Sequence, residues 1–423
     1  MRDGGRIEAA IEVLTDVETR RVPARLALKA WGERSRFAGS KDRAFVSGLV
    51  LDALRRRRSL AWRMGDDSPR AAVLATLAWD WRWSVDRVAE AAADETHGPG
   101  ALTPDETARL NDPITLDAAP DAVRGDYPDW LDTHMARVFG GTRGEAGQAL
   151  AERAPVDLRI NTLKTEPERA MKALAPLGVE PVEGMVTAAR IPAPDPATRT
   201  GAVETIPAFG KGWFEVQDLG SQIAAACAGE IAGKQVMDFC AGGGGKTLAL
   251  AAAMGNTGQL WAHDSDARRM ADLIPRGRRA GVRNLQVRSP VEAEPLKGLD
   301  GRMDVVFVDA PCTGSGTWRR HPDTKWRISP EQLERRMAEQ DTVLDQAAPL
   351  VKTGGRLVYV TCSLFAEENE DRIAAFLARA PGFGRVDPPA DYSRWRTPDG
   401  FLRLSPKTAG TDGFFVAVLE RAG

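Results

Sequence analysis

Cysteine is scarce: the four present, Cys227, Cys240, Cys312 and Cys362, lie far apart and form no CxxC pair. That spacing excludes a zinc knuckle or a secreted disulfide scaffold and predicts reduced thiols in a cytoplasmic protein. Histidine is equally rare, and His263 and His321 have no partners at ligand spacing, so no metal is expected. Long apolar runs are missing too. No 18 uninterrupted apolar residues occur, and the N-terminal MRDGGRIEAAIEVL carries charges where a signal peptide needs an apolar stretch, so no membrane contact is expected. A net charge of -2 shows no global nucleic-acid signature, so any RNA contact must come from local patches. What is present is ordinary globular material, 43% hydrophobic and 27% charged over 423 residues, enough for about three domains by the usual length prior.

The basic charge is polarised. Residues 1 to 60 hold 14 Lys or Arg against 8 Asp or Glu, and residues 61 to 120 hold 5 against 11. In the first stretch Ile7, Ala10, Ile11, Leu14 and Val17 recur at helical spacing, as do Val46, Leu49, Val50, Ala53 and Leu54 ahead of the run Arg55 to Arg58. That run reads either as a solvated helix end or, with Arg34, Arg36, Lys41 and Arg43, as a phosphate-contacting patch. Ser68 with Pro69, and Thr103 with Glu106, are helix-start signals. Residues 1–120 are therefore expected to be an all-helical domain, with a linker at 111–125. Residues 127–214 begin with a short helix, Trp130 to Phe139, and continue with VDLRINTL as a strand, forming a small α+β module. Its expected RNA contacts include Arg159 and Asn161.

From residue 215 the text alternates strand and helix, the mark of a doubly wound, Rossmann-like parallel sheet over 215–423. Strands are predicted at Gln235 to Cys240, Gly258 to His263, Leu285 to Val287, Met303 to Asp309 and Arg356 to Thr361, with Phe414 to Leu419 closing the sheet. Ser329, Pro330 and Gln332 start the best marked helix. Ligands in such sheets bind beyond the carboxyl ends of the strands. Three neighbouring ends offer a glycine loop, Asp309 with Cys312, and Cys362.

The loop CAGGGGKT, Cys240 to Thr247, fails as a phosphate-cradling Walker loop because Cys240 stands where the first glycine belongs. Backbone-bare Gly242, Gly243, Gly244 and Gly245 suit a nucleoside cofactor pressed against the chain, with Cys240, Ala241 and Lys246 beside it. Asp264, at the end of the next strand, is placed to accept hydrogen bonds from ribose hydroxyls. S-adenosylmethionine fits better than NAD.

These residues carry a resemblance. MDFCAGGGGKT, AHD, VDAPCTGSGTWRRHPDTKW, VTCSLFAEENE and GTDGFFVA, with YPDWL and LRINTLKT upstream, are similar to the Sun/Nop family of RNA cytosine-5 methyltransferases, most closely the bacterial 16S rRNA methyltransferase B type. The N-terminal DRAFVSGLVLDALR resembles the NusB-type RNA-binding domain of that subgroup. The family usually has Ala-Pro where Gly242 and Gly243 stand here, and an acid after the third strand where this chain reads Arg288, Ser289, Pro290.

Carbon 5 of cytosine is a poor nucleophile until a thiolate adds to carbon 6, so one cysteine must bond to the base. The residues alone leave the two thiols unranked. The resemblance implies that Cys362 is the nucleophile and that Cys312 assists loss of the carbon 5 proton, with Asp309 holding the base's polar edge and also touching the cofactor. Trp318, Arg319, Arg320 and Lys325 in the following loop combine aromatic and basic side chains, the arrangement used for unpaired RNA. Cys227 and Cys240 are expected to be small buried hydrophobes. The expected activity is methylation of 16S rRNA by a monomer. A tRNA target, or a non-catalytic ribosome assembly factor, are the alternatives.

Overall fold

The computed structural model describes residues 1–193 and 203–423, which fall into two compact units. One holds residues 1–153 and 317–328, the other the remaining described residues.

The first unit is helical. Helices Asp3–Arg20 and Ser40–Arg55 form where the apolar spacing predicts them, and Ile7, Leu14, Val46, Leu49 and Val50 are fully buried in a common core. Each such side chain contributes about 1.5–3 kcal/mol over its exposed state. Ser68 caps the helix Pro69–Ala75, and Thr103 with Glu106 forms the capping box of Pro104–Asn111. The unit runs past the limit expected at residue 120. Within the stretch expected to be a linker, Asp121–Arg124 forms a helical turn. Just beyond it, buried Asp126 accepts the backbone N–H groups of Arg58 and Ser59 at 3.0 and 2.8 Å. Those N–H groups open the helix Arg57–Met64 and have no partner within it, so a carboxylate from far along the chain is needed there. Arg153 likewise pairs with buried Asp52 at 2.5 Å.

The arginine run is not a free phosphate patch. Arg55 pairs with Asp52, Arg56 with Asp80, Arg57 with Glu18 and Arg58 with Asp129. The run is not a solvated helix end either: Arg55 is buried, the other three are half-buried, and each cation is matched by a carboxylate within the unit.

The loop expected to stack RNA is also corrected. Trp318, Arg319 and Lys325 are buried, and Arg320 is half-buried. Lys325 Nζ donates to the Arg55 carbonyl and Trp326 Nε1 to that of Leu54, both at 2.7 Å. Arg55 in turn donates to the Arg319 carbonyl. The helix Ser40–Arg55 ends with carbonyls that have no intrahelical donor, and this segment supplies the donors. Its tryptophans and Lys325 are scaffold rather than an exposed contact surface.

The second unit contains two sheets. The smaller is antiparallel, with β1 Val156–Ile160, β2 Glu180–Pro181, β3 Ala188–Ile191 and β4 Phe214–Val216 in the order β2-β3-β1-β4. Arg159 and Asn161, expected to touch RNA, are buried in it: Arg159 Nε donates to Gln217, and the Asn161 amide donates to the Gly212 and Ala280 carbonyls at 2.8 Å each. Both side chains are spent on internal stitching.

The larger sheet is built from β5 Gln235–Asp238, β6 Gln259–His263, β7 Leu285–Arg288, β8 Met303–Asp309, β9 Val351–Thr361, β10 Phe383–Val386, β11 Leu402–Leu404 and β12 Phe414–Arg421. Its order is β10-β12-β9-β8-β5-β6-β7, with β11 also on β12. Strands β5 to β9 are mutually parallel, while β12 runs antiparallel to β9. The near-continuous apolar runs divide between the two faces: Val305, Phe307, Val358 and Val360 enter one core, Val306, Val308, Leu357 and Tyr359 the other. The predicted strands are all present, and β10 and β11 are additions. The chain order reverses between β5 and β8, which places a crevice beyond their carboxyl ends. The glycine loop, Asp309 and Cys312 follow from those two strands.

Candidate active site

The glycine loop leaves β5 and turns into the helix Gly245–Ala253. Gly244 has φ 86°, and a Cβ there would lie 2.4 Å from Leu273 Cδ1, so only glycine fits the turn. The next backbone position, Gly245, faces open space within 4 Å. Asp264, at the end of β6, is buried and accepts the Gly242 N–H at 3.0 Å, tying loop to strand. The Cys240 thiol is pushed well up by burial, then by the charges of Asp238, Asp309 and Asp264. Asp264 thus stands beside bare backbone at the ends of neighbouring strands. This suits a nucleoside that carries a positively charged sulfur, and S-adenosylmethionine fits these residues. At the end of β7, where no acid stands in the chain, Glu292 folds back to accept the Ser289 N–H at 3.0 Å.

Beside the loop, Lys246 Nζ lies 2.7 Å from Asp309 Oδ2, and the Lys246 side chain is 11% exposed. Burial works against its charge, but Asp309 and then Cys362 hold its proton more strongly, and the balance lies above the ordinary lysine value. Asp309 Oδ1 has no hydrogen bond among the described residues and remains available.

The two thiols converge. Cys312 follows β8 and Cys362 follows β9, and their sulfurs are 3.3 Å apart, both partly exposed. The hydrogen bond to Cys362 and then burial push the Cys312 thiol well up. Either sulfur can be the donor in the contact between them. Cys227 is buried, and burial alone pushes its thiol up to about 12.

The turns that carry the thiols are closed by backbone and buried side chains. The Gly316 N–H donates to the Cys362 carbonyl at 2.9 Å, and the Gly413 N–H to the Gly316 carbonyl at 2.8 Å. A Cβ on Gly316 would fall 2.3 Å from the Gly413 oxygen and 2.6 Å from its carbons, all backbone. Gly316→Ala is expected to destabilise the protein by about 1–3 kcal/mol, the cost of overpacking, and to shift its denaturant midpoint downward. An unchanged midpoint would show that the two turns can separate freely.

Two residues that sequence reasoning passed over hold these turns. Glu368 accepts from Thr313, next to Cys312, and from Ser363, next to Cys362. Asn369 donates to the Ser363 carbonyl and accepts from Thr361. Both stand inside VTCSLFAEENE, so the signal was an acid and an amide shortly after the second thiol. Nothing in the local text marks Gln340, which donates to Glu368 at 3.0 Å.

Comparison with known proteins agrees with this geometry. The model of the 16S rRNA methyltransferase RsmB/F family matches residues 230–420. The probable ribosomal RNA small subunit methyltransferase B of Synechocystis sp. is 32% identical over 308 residues, 70% of this chain and 67% of that protein. The ribosomal RNA small subunit methyltransferase B of Salmonella arizonae is 32% identical over 315 residues, 73% of this chain and 68% of that one. These alignments therefore span about two thirds of each relative. The crystal structure of PH0851 superposes with a TM-score of 0.73 at 26% identity, covering 100% of this chain and 99% of that one. The chain belongs to the RsmB/F family of 16S rRNA methyltransferases, which use S-adenosylmethionine.

Proposed function

We propose that this protein methylates carbon 5 of a cytosine in 16S rRNA through a covalent adduct with Cys362. The observation that carries the reading is the 3.3 Å approach of two thiols from adjacent strand ends. Two sulfurs in contact supply one group to form a bond to the ring and a second to help discharge it.

When bound, S-adenosylmethionine supplies an electrophilic methyl group. The glycine loop and Asp264 would hold it. Lys246 neutralises one oxygen of Asp309, and the free Oδ1 is left to accept from the polar edge of cytosine, fixing the ring. Cys312 lies within hydrogen-bond reach of Cys362, and Lys246 adds a positive charge nearby that stabilises an attacking thiolate. Cys362 then adds to carbon 6, and electron density passes to carbon 5. To release the product the carbon 5 proton must leave, and the C–H electron pair expels Cys362. Cys312 meets that proton. Its sulfur must first shed its resting proton to water, after which it has the high proton affinity an acceptor needs. Reaching a ring carbon also requires an unstacked cytosine, at a cost of a few kcal/mol.

Mapping 5-methylcytosine in cells that lack the protein tests target and chemistry together. One 16S rRNA cytosine is expected to lose its methyl group. A lost tRNA methyl group would redirect the reading, and an unchanged RNA methylation map would leave a non-catalytic assembly factor.

A further inference from the structure

Glu368 lies on neither turn that carries a thiol, yet it touches both. It is fully buried. Its Oε1 accepts the Thr313 N–H at 2.8 Å and the Gln340 amide at 3.0 Å. Its Oε2 accepts the Thr313 hydroxyl at 2.5 Å and the Ser363 hydroxyl. Thr313 follows Cys312 in the chain and Ser363 follows Cys362, so one carboxylate joins the immediate neighbours of both sulfurs.

The carboxylate is itself fixed. Tyr359 donates its hydroxyl to the Glu368 carbonyl at 2.6 Å, and Gln340 also donates to the Pro311 carbonyl at 2.9 Å, one residue before Cys312. Removing the Glu368 side chain would take away the acceptor of the Thr313 N–H, an acceptor of the Thr313 and Ser363 hydroxyls, and one of the two acceptors of the Gln340 amide. Among the described residues Ser315 also links the turns, its hydroxyl accepting the Leu364 N–H at 2.8 Å and lying 3.0 Å from the Ser363 hydroxyl, but Glu368 alone joins the residues that directly follow both cysteines through one carboxylate.

We propose that Glu368 is a positioning residue that sets the separation and mutual orientation of the two thiols. The assignment of attack to Cys362 rests on the reading above; the clamp does not. Reacting groups misplaced by about 1 Å lose on the order of 10²-fold in rate. Glutamine keeps a carbonyl acceptor for the Thr313 N–H and an amide that can donate to the two hydroxyls, so it should preserve the clamp. Alanine cannot.

The test measures the sulfurs directly, in the full chain without RNA or cofactor. Diamide takes up two electrons and two protons as a disulfide forms between Cys312 and Cys362, and mass spectrometry follows that bond. Glu368→Ala is expected to close it at least about tenfold more slowly than wild type and Glu368→Gln within about threefold, and kcat for methyl transfer should fall about 10²-fold in the alanine variant with KM for the methyl donor within about threefold. Wild-type disulfide closure in Glu368→Ala would overturn the proposal. If that variant fails to fold by circular dichroism, Thr313→Val with Ser363→Ala removes both hydroxyl arms instead. Slowed closure there supports the clamp, and wild-type closure overturns it. A wild-type enzyme that transfers no methyl group to cytosine would sink the reaction reading while leaving the disulfide comparison intact.

Discussion

Replacing Cys312 with alanine leaves RNA covalently attached to the protein. The variant keeps Cys362, the Lys246–Asp309 pair and the glycine loop, so addition to carbon 6 and methyl transfer can proceed. What it lacks is the sulfur placed 3.3 Å from the nucleophile to receive the carbon 5 proton. While that proton stays, the electron pair that expels Cys362 stays in the C–H bond. The adduct should survive denaturing electrophoresis as a band retarded by the RNA and should require both the methyl donor and Cys362. A Cys312→Ala enzyme that turns over normally without an adduct would overturn the division of labour.

Cys362→Ala abolishes methyl transfer. Without a sulfur to add at carbon 6, the ring keeps the electron distribution that makes carbon 5 inert. A loss on the order of 10⁴-fold or more corresponds to about 5.4 kcal/mol of barrier at 1.36 kcal/mol per tenfold. Cys312 cannot take over, because its environment holds the proton on and a neutral thiol is a weak nucleophile. Incorporation of labelled methyl groups into RNA measures the loss, and calorimetry should find the methyl donor bound as tightly as in wild type. A dead Cys312→Ala enzyme beside an active Cys362→Ala one would reverse the two roles.

The catalytic sheet was legible because its signals are local. Val305 to Val308 and Leu357 to Val360 are apolar runs that end on polar residues, and such runs locate strands and their ends without knowledge of their neighbours. The strand pattern puts Cys312 and Cys362 on neighbouring strand ends although 50 residues separate them, while their division of labour on one ring follows only from the family resemblance. The segment around Trp318 and Lys325 was misread for the same reason in reverse. Its composition matches an RNA-stacking loop, but the carbonyls that claim Lys325 and Trp326 lie at Arg55 and Leu54, some 270 residues away. Arg159 and Asn161 failed similarly, because their acceptors sit on Gln217, Gly212 and Ala280. Glu368 was visible within its motif, yet its meaning depends on Thr313, 55 residues earlier.

The position of β12 has a temporal consequence. The last strand of the chain lies against β9, the strand that delivers Cys362, and Gly413 just before it closes onto Gly316. Until translation has passed residue 421, β9 presents a bare edge and the turn after Cys312 lacks its backbone partner. A polypeptide that stops short of β12 thus holds both sulfurs without the backbone bonds that fix the turns carrying them.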